Sequence, residues 1–335
     1  MSEGTNECPV FARWSKGGNL LAYHDWSHPK IMRDDGTVTN LPLFDRRNGD
    51  YLTLYFMSWS DGGSLTAGGI YFKDTRKTSN LYGITDRDRK MDSDEGGFLA
   101  IWTPEPSQPS GYSLHRSVFQ HFNPNAVTWR GENDLAVAGP VFGAAEQYVH
   151  TFEWRHGLSE ELVRTAASTV HLRLTWLSWS RSGMLAGATD EGAMLWNASL
   201  HPQSKGPAVP CPFPLYSLEW NEGNLLALGG QDGSVGLVNT SEPTKLLWHA
   251  TMQPGTTTAL SWSADGQWLA AGNENGVIGI FEGTTGNIVE RLHVSGIVLA
   301  IDWAASDIIR VVDDIDDAGK PKIYTLQIAS SGATS

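Results

Sequence analysis

Acidic residues cluster in two short stretches of the 335-residue chain where a cation could bind. The first is the run Asp313-Asp314-Ile315-Asp316-Asp317, and the second is Asp92-Ser93-Asp94-Glu95. A helix–loop–helix calcium site needs oxygen ligands at alternate positions and a glutamate at the twelfth. In the first run Ile315 separates two acidic pairs, and the twelfth residue is Tyr324. The pattern favours a solvated turn, and the second stretch resembles a metal loop just as loosely.

Other reactive residue types also lack the spacing that chemistry requires. The ten histidines contain no His-Glu-x-x-His pair, and the two cysteines, Cys8 and Cys211, cannot form a zinc site alone. A phosphate-binding Walker loop and a Gly-x-Ser-x-Gly nucleophile elbow are both absent. We therefore expect no catalytic residues, no cofactor and no metal ion.

Six basic residues fall within 18 positions of a chain whose net charge is −13. Such a local concentration of charge can form a docking surface for a partner protein. The alternative is a mixed-charge, solvated loop with no partner, and the sequence leaves both open. The basic residues and the acidic residues that follow them are Lys73, Arg76, Lys77, Arg87, Arg89, Lys90, Asp92 and Asp94.

The composition argues against two classes of partner and indicates a cellular location. The acidic balance argues against direct nucleic-acid binding and against an anionic membrane surface, since phosphate contacts need basic side chains. The N-terminus has no charged segment followed by an apolar one, and no apolar run is long enough to span a membrane. Two cysteines are consistent with a reducing compartment. We expect a cytoplasmic protein.

A repeat organises the chain around these residues. A β-rich run that ends in Trp, a short polar turn and a run of small and apolar residues recur seven times. The spacings between the marker tryptophans are 45, 70, 50, 41, 42 and 41 residues. The markers are Trp14, Trp59, Trp129, Trp179, Trp220, Trp262 and Trp303.

The sixth copy shows that one unit contains four short strands. A turn at Ser263–Gly266 separates the first two strands, and Asn275-Gly276 predicts a hairpin, because both residues tolerate positive φ. Small residues in the second strand allow neighbouring backbones to approach closely. The predicted strands are Thr258–Trp262, Trp268–Gly272, Val277–Phe281 and Asn287–His293.

The stretch SWSADGQWLAAG, followed by a turn and VIGIF, resembles the WD-repeat β-propeller family, and the similarity extends over nearly the whole chain. The resemblance implies an all-β fold, a single seven-bladed β-propeller over residues 1–335 with four-stranded antiparallel blades. The repeats are degenerate. The Trp-Asp pair that ends the third strand in typical members is replaced, for example by Trp196-Asn197 and Phe281-Glu282.

Two segments depart from the period. Between the second and third strands of blade two, residues 73–95 form an inserted loop, which the resemblance places on the top face around the channel mouth. In blade seven only three strands are predicted, Val298–Trp303, Ile308–Asp313 and Lys322–Ile328. The blade is then either three-stranded or open to a strand from another chain.

These observations favour a non-catalytic scaffold or complex subunit that presents top-face loops to proteins or peptides. The predicted binding residues are the eight charged residues of the blade-two loop together with Asp313, Asp314, Asp316 and Asp317. The alternative is a small-ligand or hydrolase site in the central channel. Positions before the markers give no hint of such a site, because they are mostly apolar or small: Phe56, Ala126, Leu177, Leu218, Leu260 and Ile301.

Overall fold

A computed structural model describes residues 11–24, 29–42, 51–72, 95–119, 122–140, 146–155, 161–197, 199, 208–242, 245–316 and 319–328. These residues form seven antiparallel sheets, each a meander whose strands lie side by side in chain order. The predicted seven-bladed β-propeller is confirmed, and each marker tryptophan lies on the first strand of its blade.

The strand bounds follow the predicted repeat closely. Blade one contains β1 (Phe11–Trp14), β2 (Leu20–His24), β3 (Pro29–Arg33) and β4 (Val38–Asn40). Blade two contains β5 (Tyr51–Trp59), β6 (Leu65–Phe72), β7 (Glu95–Pro104) and β8 (Tyr112–Phe119). Blade three contains β9 (Ala126–Arg130), β10 (Asp134–Pro140), β11 (Gln147–Arg155) and β12 (Glu161–Val170). Blade four contains β13 (Trp176–Trp179), β14 (Leu185–Ala188), β15 (Gly192–Trp196) and β16 (Val209–Pro210).

The remaining blades are the most regular. Blade five contains β17 (Leu215–Trp220), β18 (Leu225–Gly230), β19 (Ser234–Asn239) and β20 (Trp248–Thr251). Blade six contains β21 (Thr257–Trp262), β22 (Trp268–Asn273), β23 (Val277–Glu282) and β24 (Ile288–His293). Blade seven contains β25 (Ala300–Ala305), β26 (Ile308–Ile315) and β27 (Pro321–Gln327). Within the described residues, β27 pairs only with β26, so this blade has three strands and an unpaired edge.

The first strands of consecutive blades contact one another, and β1 contacts β25, which closes the ring. Seven apolar clusters fill the seven interfaces between blades. Small second-strand residues make this close packing feasible. A Cβ atom on Gly272 of β22, for example, would lie 2.3 Å from Val298 Cγ1 of blade seven.

The marker tryptophans link neighbouring blades by hydrogen bonds. In four blades the indole Nε1 donates to the carbonyl of the residue immediately before the marker of the preceding blade. An indole that packs between blades and also satisfies a backbone acceptor explains why large aromatic residues recur at this position. The four donor–acceptor pairs are Trp59 to Arg13 (3.0 Å), Trp220 to Ser178 (3.0 Å), Trp262 to Glu219 (3.3 Å) and Trp303 to Ser261 (3.0 Å).

A polar residue after the marker fixes the turn between the first and second strands. Ser180 Oγ accepts the backbone N–H of Met184 at 2.8 Å, and Ser263 Oγ accepts that of Trp268 at 2.9 Å. Asn221 replaces serine in blade five, where its Oδ1 accepts the N–H of Leu225 at 3.0 Å. These side chains satisfy turn amides that have no strand partner.

The hairpin at Asn275-Gly276 forms where predicted, but its backbone differs from the prediction. Gly276 has φ of +76°, whereas Asn275 is not among the residues with positive φ. The Asn273 side chain supplies the reason, because its Oδ1 accepts the N–H groups of Asn275 at 3.0 Å and Val277 at 2.9 Å. A side-chain cap thus holds the turn with a single left-handed residue.

Candidate functional site

The top face is defined here as the face that carries the hairpins between second and third strands. The insertion in blade two leaves β6 after Phe72 and returns at Glu95, so it starts and ends at this face. Eight predicted binding residues lie outside the described residues: Lys73, Arg76, Lys77, Arg87, Arg89, Lys90, Asp92 and Asp94. Their role stays a prediction.

The acidic hairpin of blade seven lies on the same face, but Asp313 does not lie in a solvated turn as predicted. Strand β26 continues to Ile315, two residues beyond the predicted end, so Asp313 belongs to the sheet and is 1% exposed. Its Oδ2 accepts the N–H groups of Ser295 (3.0 Å) and Gly296 (2.9 Å) and the hydroxyl of Ser295 (2.9 Å). Asp313 therefore holds the loop that leads into blade seven and is not available to a partner.

The other acidic residues of this hairpin occupy its exposed end. Asp314 Oδ2 pairs with Lys322 Nζ at 3.2 Å, and that carboxylate raises the pKa of Lys322. Asp316 Oδ1 accepts the N–H of Lys320 at 2.8 Å in the turn. Asp317 lies outside the described residues. Among the residues that the structure describes, no group of three or more His, Cys, Asp or Glu side chains could hold a metal ion.

Three aromatic rings from different blades meet inside the central channel. Phe56 lies 5.2 Å from Phe11 and 5.5 Å from Trp176, and Phe11 lies 6.2 Å from Trp176, between ring centroids. Edge-to-face contacts of this kind are favourable and exclude water. Each of the three rings belongs to the residue three positions before the marker of its blade.

Below these rings the channel is polar, which corrects the prediction from the apolar pre-marker positions. The residues immediately before the markers face the channel, because side chains alternate along a strand. The apolar residues two positions before the markers face the other way and pack between blades: Leu177, Leu218, Leu260 and Ile301. Arg13 of blade one reaches across to Glu219 of blade five at 3.7 Å and stacks on Trp176 at 5.0 Å. Burial raises the pKa of Glu219, and the nearby Arg13 opposes that shift.

The polar layer opens into a cavity of about 1050 Å³ on the bottom face, which carries the turns between first and second strands. All seven marker tryptophans line it. Each blade contributes one polar residue directly before its marker, and this alternation could have revealed the layer from sequence. These residues are Arg13, Ser58, Thr128, Ser178, Glu219, Ser261 and Asp302.

Tryptophans outside the marker series have packing roles where they are described. Trp248 is half-buried, stacks on Phe281 at 5.9 Å and donates its Nε1 hydrogen to the carbonyl of Gly283 at 3.0 Å. Trp268 is half-buried against the cluster between blades six and seven. Trp26 lies outside the described residues.

The fold defines the class: the described residues form a seven-bladed β-propeller, and part of the chain matches a WD40 family model. The matching family model, over residues 218–306, describes the anaphase-promoting complex subunit 4 WD40 domain. No curated protein sequence matches the chain. Among the described residues, no helix has the length and apolar character needed to cross a membrane.

Two solved structures illustrate the similarity of fold. A chain in the crystal structure of the mitotic checkpoint complex aligns with a TM-score of 0.65 and 15% identity, over 95% of this chain and 89% of that one. The β-propeller domain of Cps50 (Swd1) from Myceliophteria thermophila aligns with a TM-score of 0.61 and 14% identity, over 96% and 98% respectively. At these identities the likeness concerns the fold.

Proposed function

We propose that this propeller is a non-catalytic interaction scaffold that presents its top face to a partner protein. The observation that carries the proposal is that the long insertion of blade two and the exposed acidic end of the blade-seven hairpin emerge on one face, separated only by blade one. Charge complementarity between this surface and a partner would set specificity and association rate more than affinity.

The comparisons support membership of a protein assembly in general terms. The matched family model describes a subunit of the anaphase-promoting complex, and one similar structure comes from the mitotic checkpoint complex. Apolar clusters at all seven interfaces and indole hydrogen bonds at four of them stabilise the ring, which suits this role, because a rigid disc holds its loops in a fixed arrangement.

The proposed contact surface combines the basic loop with the exposed residues of the acidic hairpin. Asp313 is excluded because it is buried. The proposed contact residues are Lys73, Arg76, Lys77, Arg87, Arg89, Lys90, Asp92, Asp94, Asp314, Asp316 and Asp317. A cytoplasmic partner agrees with the predicted location.

Affinity purification from native lysate tests the proposal. The intact chain is compared with a variant whose residues 73–95 are replaced by an Asn-Gly turn and with one in which Arg87, Arg89 and Lys90 are reversed in charge. We expect a stoichiometric partner that both variants lose. The matched control reverses three exposed basic residues on other blades, Arg155, Lys245 and Arg291, and should retain the partner.

Retention of the partner by both loop variants would refute the proposed surface. Attention would then move to the edge of β27, where a partner strand could pair with blade seven. Pro321→Ala leaves that edge intact, whereas a proline at Thr325 disrupts it, so the two substitutions would distinguish strand addition from loop docking.

A further inference from the structure

The cavity on the bottom face has no part in the proposal above. We propose that it is a second binding site, one that accepts an arginine side chain of a partner peptide at the mouth of the central channel. The site lies on the face opposite the blade-two insertion, so both could be occupied at once.

The charge of the cavity selects a cation. Seven acidic side chains line it against four basic ones, and Arg310 pairs with one of the seven, Asp302, so two carboxylates remain in excess. Concave walls of low dielectric constant focus such a field and raise the local concentration of cations. On the rim, Glu132 of blade three and Asp265 of blade six form no ion pair with any described residue. Both are exposed, on blades far apart around the ring.

The floor of the cavity offers a carboxylate that is incompletely neutralised. Glu219 Oε2 lies 3.7 Å from the guanidinium of Arg13, longer than a hydrogen-bonded pair. By contrast, Arg130 and Asp134 at the cavity edge are separated by 2.5 Å. A second cation could therefore bind Glu219 without displacing Arg13.

The aromatic lining favours arginine over lysine. The chain's own arginines already stack on tryptophans around this channel: Arg310 lies 4.3 Å above Trp14, Arg130 4.8 Å above Trp179 and Arg13 5.0 Å above Trp176. A planar guanidinium can stack on an indole and bind a carboxylate with two N–H groups at once. An ammonium group has no planar face to stack on the indole and no pair of parallel N–H groups for the carboxylate.

The experiment uses the peptide acetyl-Ala-Arg-Ala-amide as the probe, with the whole chain labelled with ¹⁵N at its tryptophan indoles. Nuclear magnetic resonance spectra should show saturable shifts of marker indole signals, with Kd in the millimolar range. Acetyl-Ala-citrulline-Ala-amide is the matched control, because citrulline has nearly the same shape without the charge. We expect its binding to be at least about tenfold weaker.

Two sets of variants locate the site. Glu219→Gln should weaken binding about tenfold, whereas Glu242→Gln, at an exposed turn outside the cavity, should leave it unchanged. If Glu219→Gln does not fold, the rim variant Glu132→Gln with Asp265→Asn decides and should weaken binding severalfold. Equal binding of the citrulline peptide, stronger binding of acetyl-Ala-Glu-Ala-amide, or no marker shift with the arginine peptide would overturn the proposal.

Discussion

At the scale of single residues, burial shifts the pKa of a polar side chain and thereby decides whether it carries a charge. Cys211 is one example: burial raises the pKa of its thiol to about 12, so the thiol stays protonated, and its Sγ donates to the carbonyl of Val209 at 3.6 Å.

His150 of β11 is a second example. Its ring stacks on Tyr148 at 5.6 Å and meets Phe122 edge-on at 5.0 Å.

His150 should make the stability of the protein depend on pH. Burial first, and the charge of Arg164 second, lower its pKa to about 4 in the folded state, against 6.5 in an unfolded chain. The unfolded state therefore binds the proton more readily, and stability falls as the pH drops from about 6.5 towards 4. Because the ring is only partly buried, we expect a loss of roughly 1 to 3 kcal/mol.

Urea unfolding at pH 7.5 and pH 5 measures this effect. His150→Phe keeps an aromatic ring without a titrating group, so its stability should differ less between the two pH values than that of the parent chain. His293→Gln, on the exposed outer strand of blade six, is the control and should retain the parent's dependence. An unchanged difference in His150→Phe would assign the pH effect to other groups.

At the scale of strands and hairpins, the end of the second strand carries a polar cap in several blades. Asn273 fills this position in blade six and Asp313 in blade seven, while in blade four Thr189 Oγ1 donates to the carbonyl of Gly192 at 2.7 Å. Asn273 also donates from Nδ2 to the carbonyl of Gln253 at 3.1 Å. The cap thus ties each hairpin or entering loop to the body of the blade.

Removing Asp313, the polar cap of blade seven, should lower the free energy of unfolding. Asp313→Ala would leave the amides of Ser295 and Gly296, in the loop that leads into blade seven, without their carboxylate acceptor, and we expect a loss of about 1.5–3 kcal/mol. Asp313→Asn keeps one acceptor oxygen, as Asn273 does in blade six, and should cost less. Chemical denaturation measures both values. Asp314→Ala removes an exposed pair with Lys322 and an exposed hydrogen bond from the N–H of Ile315, so its loss should stay within about 1 kcal/mol. A similar loss for Asp314→Ala and Asp313→Ala would contradict the assignment.

At the scale of the whole molecule, the sequence predicts the ring well because the repeat is local. The sequence predicts each end of the four strands of blade six to within one residue, because turn residues and alternating apolar residues mark where the strands begin and end. The Arg13–Glu219 pair could not be predicted, because it joins blades one and five, whose residues are 206 positions apart in the sequence but meet across the axis. Only closure of the ring creates such contacts.

Closure itself depends on a seam that is weaker than the others. The apolar cluster between blades seven and one has five buried members among the described residues, fewer than any other interface. Arg310 of β26 compensates: its guanidinium donates to Asp302 within blade seven, to the carbonyl of Gly18 at 2.6 Å and to Asp34 at 3.2 Å. It also covers Trp14.

Arg310→Ala should therefore loosen this seam, with a loss of about 2–4 kcal/mol, because it leaves the partly buried Asp302 without its partner. Arg310→Lys keeps the charge but not the planar guanidinium with its paired N–H groups, and we expect an intermediate loss.

In Arg310→Ala, hydrogen exchange should be faster in β1, β2 and β25–β27 and unchanged in β13–β15 on the opposite side of the ring. Arg181→Ala, which breaks an exposed pair with Glu222, is the control and should change neither region. Uniform acceleration in all blades would show instead that the ring opens only by global unfolding, and that Arg310 contributes to overall stability without acting as a local latch.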